Sequence, residues 1–194
     1  KDLRSPCDRI DLSKVILPFI KFETPVLKLL LTEMKQQTVS PGRKGYEKHF
    51  LLGNLEYCVG VGGIHSVNKP EEIIPNTDEV LIDCDVASLY PSMIIEHEFY
   101  PPHLGKEFLE VYTQIKNERI EAKHNGNKIK NETLKLALNG LSGNLQNEHN
   151  FCYSPFTVMQ IRINGQLLLL MLAEQLIKVG ATIKQANTKW PLVF

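Results

Sequence analysis

No two of the four cysteines, Cys7, Cys58, Cys84 and Cys152, stand close enough to form a C-x-x-C pair. That spacing argues against a zinc site and for reduced, mostly buried thiols in a cytosolic protein. Neither sign of charge is in excess, with Lys+Arg and Asp+Glu at 22 each. Net charge therefore supplies no pull on nucleic acid, and any such affinity must come from local clusters. The longest apolar run, Leu167 to Ala173, is too short for a membrane span. No signal-peptide pattern opens the sequence. These absences leave a cytoplasmic location and no membrane partner as the expectation. What is present is 43% hydrophobic residues over 194 positions, enough to build the core of one domain or of one and a half. The sequence begins at Lys1 without a methionine and stops at Phe194 after a strand-like run, which reads as a piece of a longer protein.

Patterning divides the chain coarsely. Thr24-Pro25 predicts an N-cap with proline at N1, and Val26, Leu29, Leu30 and Met34 continue at helical spacing. Ser40-Pro41-Gly42 punctuates the end of that helix. Residues 49–59 predict a hairpin turning at Gly53-Asn54. The glycines at 60, 62 and 63 have the wrong spacing and context for a dinucleotide-binding loop; they weakly resemble the glycine-rich turn ahead of the first palm motif in family B DNA polymerases, with Gly60 where that family has an aromatic, and a tight strand connection is an equal reading. Residues 79–85 read as a strand that would set Asp83 and Asp85 on one face. Met93 to His97 reads as a short helix, with Pro101-Pro102 after it.

Three longer helices follow. In the first, over 106–123, Phe108, Tyr112, Ile115, Arg119 and Ala122 share one face, and Lys116, Arg119 and Lys123 are cationic neighbours. An arginine inside an apolar stripe is unusual for a purely structural helix. His124 to Asn127 marks a turn, and Asn131 is the expected cap of the second helix. There Leu134, Leu138, Leu141 and Leu145 form an apolar stripe beside a polar one of Lys135, Asn139 and Ser142. The third, from Ser154-Pro155 to Val179 with Gly180 as its stop, is apolar almost all round and predicts a buried helix. Arg162 and Gln166 lie one turn apart on it, with a structural role favoured over template contacts.

Asp85-Val86-Ala87-Ser88-Leu89-Tyr90-Pro91-Ser92 is the most specific stretch. It resembles the first palm motif of family B DNA polymerases, D-x-x-S-L-Y-P-S. Arg119 and Lys123 resemble that family's fingers signature R-x-x-x-K, in the expected order. Lys135, Asn139 and Gly143 resemble its second motif, K-x-x-x-N-S-x-Y-G, with Gly140 in place of the serine and Ser142 in place of the tyrosine. The resemblance covers roughly residues 17–188. It implies that Asp85 and the backbone of Val86 bind catalytic metal and that Tyr90 packs under the sugar of the incoming nucleotide. It further implies that Ser88, Leu89, Arg119, Lys123, Lys135 and Asn139 contact the dNTP. Lys135 would also serve as general acid to the departing pyrophosphate.

The third motif of the family is D-T-D, or N-T-D in viral-type members. Asn187-Thr188 resembles the N-T form, but Lys189 stands where the second aspartate belongs. Two-metal phosphoryl transfer holds its Mg²⁺ ions about 3.5–4 Å apart between carboxylates. Two unit charges ~4 Å apart interact by ~4 kcal/mol at an effective dielectric of 20, so exchanging a carboxylate for an ammonium is severe. The intact match up to Thr188 and its abrupt loss afterwards point to a frameshift or assembly error just after Thr188, with a natural truncation or a degenerate gene as the competing explanation.

The resemblance implies an α/β (α+β) fold, a polymerase palm with a small antiparallel sheet, buried helices and a two-helix fingers hairpin. The expected divisions are a connector with the N-terminal helix (1–48), first palm part (49–105), fingers (106–147) and second palm part (148–194). Implied cofactor and partners are Mg²⁺, dNTPs, primer-template DNA, and exonuclease and thumb regions of a parent chain, in bacterial cytoplasm if phage-encoded. As it stands the chain is expected to be inactive alone. A remnant that only binds nucleotide or nucleic acid, and a plain structural domain, are the competing readings.

Overall fold

The structure, a computed structural model, describes residues 4–41, 45–84, 86, 88–187 and the backbone of 192–193. It is mixed α+β. In chain order the elements are β1 (Ile10–Asp11), α1 (Pro25–Lys35), β2 (Thr38–Val39), β3 (Glu47–Leu52), β4 (Leu55–Gly60), β5 (Gly63–Ser66), β6 (Asp83–Cys84), α2 (Leu89–Glu96), α3 (Glu107–His124), α4 (Lys128–Asn144), α5 (Pro155–Lys178) and β7 (Leu192–Val193). The strands form three antiparallel sheets, β1-β2, β3-β4-β5 and β6-β7. The chain divides into two compact units: residues 9–87 with 162–194, and residues 1–8 with 88–161.

In the first of these units Gly53, at φ +61°, opens the two-residue turn between β3 and β4, and Leu52 pairs with Leu55. That turn sets the register of the whole hairpin. Phe50, Leu52, Tyr57, Val59 and Ile64 point into the core, and the Phe50 and Tyr57 rings stack at 5.6 Å. Val61-Gly62 then joins β4 to β5, with Gly60 opposite Gly63, so the glycine run is a strand connection. Gly60 is required by close approach, since a Cβ there would stand 2.6 Å from Tyr46 O. Buried polar groups of α5 bond to this unit's backbone. Gln166 accepts from Gly60 N–H at 3.0 Å and donates to Gly60 C=O at 2.8 Å. Asn164 accepts from Leu17 N–H and donates to Val15 C=O. Gln166 is thus structural. Arg162 has one Nη1 3.5 Å from Val61 O.

Two expected features of this unit differ. Of the described residues in the expected strand of 79–85, only Asp83–Cys84 is a strand, paired with β7; Val80, Leu81 and Ile82 are exposed and have no partner strand among the described residues to satisfy their backbone. Asn187 makes an isolated antiparallel bridge with His65. Thr24 precedes Pro25 as expected but makes no side-chain cap bond. The carboxylate of Glu174 takes the N–H groups of Glu23 and Thr24 instead, at 2.9 and 2.6 Å.

In the other unit α3 and α4 form a helical hairpin. Tyr112 donates from its buried hydroxyl to Leu138 O at 3.3 Å, and Glu118 pairs with Lys130 at 3.2 Å. Phe108, Tyr112, Ala122, Leu138 and Leu145 are buried. The cap of α4 is Asn127, not Asn131: Asn127 accepts from Lys130 N–H, and the helix starts one turn earlier. α2 begins at Leu89 instead of after Ser92, so Tyr90, Pro91 and Ser92 are helical; proline is tolerated in a first turn.

α5 ends in a Schellman motif, with Gly180 (φ +95°) donating to Ile177 O and Ala181 to Leu176 O. By length and composition α5 could cross a membrane, although its longest uninterrupted apolar run could not; 67% of its apolar window is buried within the protein. Two of the cysteines, Cys58 and Cys152, are buried.

Candidate functional site

Ser88 holds the left-handed backbone conformation, φ 54° and ψ 43°, at the N-cap of α2. For a residue with a Cβ this costs roughly 1–2 kcal/mol, and such strain concentrates at sites that use it. Its Oγ accepts a hydrogen bond from Arg119 Nη1 at 2.9 Å. One helical turn along α2, Ser92 Oγ accepts from Lys116 Nζ at 3.4 Å. Serines four apart on one side and cations three apart on the other make two rungs between α2 and α3. A 3.6-residue period puts both pairs on facing stripes.

The second rung is long. The first is half-buried and leaves capacity unused: Arg119 Nε is buried and has no hydrogen-bond partner among the described residues. A guanidinium offers five N–H donors in a planar fork. A buried donor without an acceptor costs about 1–3 kcal/mol, so this atom favours any anion that reaches it.

The remaining expected residues are less gathered. Leu89 and Tyr90 are half-buried in the first turn of α2. Lys123 is exposed, one turn beyond Arg119. Lys135 is exposed and paired with Glu132 at 3.5 Å along the same helix. Asn139 is exposed, and Ser142 donates to its carbonyl at 2.9 Å. Among the described residues no hydrogen bond or ion pair joins Lys135 or Asn139 to Arg119 or Lys123. Val86 is exposed, and Asn187 is half-buried in the other unit. Asp85, Thr188 and Lys189 lie outside the described residues.

The two Mg²⁺ ions implied by the resemblance meet a donor set that does not fit them. Mg²⁺ asks for carboxylates and other hard oxygens. The sequence supplies Asp85 and, at the position of the second carboxylate, the ammonium of Lys189.

Features that sequence reasoning missed lie elsewhere: the Glu174 carboxylate before α1, the Gln166 clamp on Gly60, and a Glu47–His49–Cys58 group on the three-stranded sheet. For the last, the turn at Gly53-Asn54 sets His49 opposite Cys58, but only the folded sheet brings Glu47 to them. No family model, no curated protein and no solved structure matches this chain.

Proposed function

We propose that this chain is the palm-and-fingers portion of a family B DNA polymerase. The parent reaction is attack of a primer 3′-OH on the α-phosphate of a dNTP, with release of pyrophosphate. The observation that carries the reading is the Arg119–Ser88 hydrogen bond. It ties the D-x-x-S-L-Y-P-S segment to the R-x-x-x-K helix, two stretches singled out separately and 31 residues apart. Arg119 is the cation this reading sets on the triphosphate, and its unpartnered Nε is a donor for phosphate oxygen. Lys123, Lys135 and Asn139, being solvent-facing, can reach a nucleotide without breaking a core. Tyr90 is the sugar-side residue. The partners are dNTPs and primer-template DNA, the parent chain supplies exonuclease and thumb, and the site of action is the cytoplasm.

Lys189 favours a second reading, a remnant that binds nucleotide or a nucleic acid strand and catalyses nothing. The two are separated by measuring fluorescent dATP binding and primer extension on the 194-residue chain. Saturable dATP binding, weakened at least tenfold in Arg119→Ala, is expected on both readings. Extended primer would establish the enzyme. Binding without extension is expected of this polypeptide on both readings, because Lys189 replaces the second carboxylate, and absence of binding would overturn both. Where binding is seen, Tyr90→Ala is expected to narrow the preference for dATP over ATP.

A further inference from the structure

The outward face of the three-stranded sheet carries a row that the polymerase reading does not use. His49 on β3 lies opposite Cys58 on β4, and Cys58 lies opposite His65 on β5. Directly opposed residues share a face, and so do residues two apart on one strand. Glu47 and Glu56 therefore flank the same row. One ligand atom each from Glu47, His49 and Cys58 falls within a sphere of mutual separations below 4.8 Å.

Two of the three spacings inside this group suit one ion, and the third lies within 4.8 Å. Cys58 Sγ is 3.2 Å from Glu47 Oε1, and His49 Nε2 is 3.3 Å from the same oxygen. In a tetrahedral zinc site with Zn–S ≈ 2.3 Å and Zn–N and Zn–O ≈ 2.0–2.1 Å, the S···O and N···O edges are about 3.6 and 3.4 Å. Each pair therefore needs to move by only a few tenths of an ångström. The other ring nitrogen of the histidine is already engaged: Nδ1 bonds Glu56 Oε1 at 2.8 Å. A carboxylate that takes Nδ1–H leaves the Nε2 lone pair directed at the metal position, the arrangement that orients histidine ligands in zinc sites. Glu47 and Cys58, together with His65 and Asn187, also line a cleft of about 520 Å³, so the thiol is reachable although Cys58 is buried.

We propose that Glu47, His49 and Cys58 form a three-ligand site for a divalent transition ion of the zinc class, oriented by Glu56 and open at its fourth position to the cleft. Thiolate, imidazole and carboxylate together select zinc-like ions over Mg²⁺. Glu47 carboxylate and Cys58 thiolate neutralise the ion's two charges, and the thiol proton leaves to solvent on binding. Three protein ligands with an open position is the pattern of sites that hold a water or a substrate atom on the metal. This inference stands independently of the polymerase reading.

The test is titration of the tag-free 194-residue chain with Co²⁺, read by the thiolate-to-cobalt charge-transfer absorption, followed by competition with Zn²⁺ and with Mg²⁺. One equivalent of Co²⁺ with a charge-transfer band, displaced by Zn²⁺ and not by millimolar Mg²⁺, is expected. The band should vanish in Cys58→Ser. Because Cys58 is buried and its variant can fail to fold, His49→Gln and Glu56→Gln, at exposed positions, provide the independent check. They are expected to weaken Co²⁺ at least tenfold, Glu56→Gln by the ~10–100-fold typical of an orienting partner. Absence of a saturable band, a band that survives in a folded Cys58→Ser, unchanged affinity in His49→Gln, or displacement by Mg²⁺ would each overturn the site.

Discussion

Ser88 is the residue where local cost and tertiary gain can be weighed separately. Its Oγ satisfies one donor of Arg119, and its backbone sits at φ 54°. Ser88→Ala keeps the strained conformation and leaves the guanidinium without that acceptor, an expected loss of about 1–3 kcal/mol. Ser88→Gly loses the same acceptor but relieves strain worth roughly 1–2 kcal/mol. The glycine variant is therefore expected to unfold at a higher urea concentration than the alanine variant. Coincident midpoints would show that the left-handed conformation is not costly there. The strain itself was not legible in the sequence. Serine is an ordinary residue in D-x-x-S-L-Y-P-S, and what holds its φ positive is the start of α2 at Leu89, a turn earlier than the Met93 pattern implied.

At the scale of elements, the start of α1 depends on a residue 150 positions away. A helix begins with N–H groups that lack partners, and Thr24 is the sequence-level candidate to satisfy them. Its side chain does not do so; Glu174 on α5 takes the N–H groups of Glu23 and of Thr24 itself, the two residues that lead into the helix. Burial pushes the Glu174 carboxyl up, but hydrogen bonds from Thr24 and Glu23 and the charge of Lys178 outweigh it and hold the group below its ordinary value of 4.5. A folded-state value below the unfolded one contributes stability that is present above about pH 4.5 and is lost as pH falls through the folded value. Glu174→Gln is expected to cost about 1–3 kcal/mol at pH 7. It should also flatten the acid limb of a plot of stability against pH. An acid limb as steep as that of the parent chain would remove Glu174 from this role. The helical hairpin was far more legible, because Phe108, Tyr112, Leu138 and Leu145 recur at helical spacing and packing follows periodicity. Its cap was misplaced by one turn because Asn127 and Asn131 are chemically equal candidates, and only the Lys130 N–H bond separates them.

At the scale of the whole molecule, the unit built on residues 9–87 is completed by residues 162–194. Leu17, Val15, Gly60, Glu23 and Thr24 all use side chains of α5 as hydrogen-bond partners, and Asn68 donates to Lys184 O. A chain ending at residue 161 would leave these backbone groups without those partners. Such a truncation is expected to lose the dispersed amide resonances of the Glu47–Leu52 and Leu55–Gly60 hairpin in a ¹H–¹⁵N correlation spectrum. A hairpin that stays dispersed without residues 162–194 would show that its core is self-sufficient.

The sequence by itself determined the elements whose signal is local. Period-3.6 stripes produced α3 and α4, an all-round apolar run opened by Ser154-Pro155 produced α5, Gly53-Asn54 produced the β3-β4 hairpin, and Gly180 ended α5. These follow from side-chain spacing and from the few residues that tolerate positive φ. The motif order that supports the functional proposal is likewise a property of the chain alone. Tertiary structure decided what depends on distant partners: the short β6, the Glu174 carboxylate at α1, the Gln166 clamp on Gly60 and the Arg119–Ser88 bond. It also gathered Glu47, His49 and Cys58, which no spacing rule for metal ligands would have joined. The physical reason is common to all of these. A buried polar group takes whichever partner the packed chain brings within about 3 Å, and sequence separation does not enter that choice.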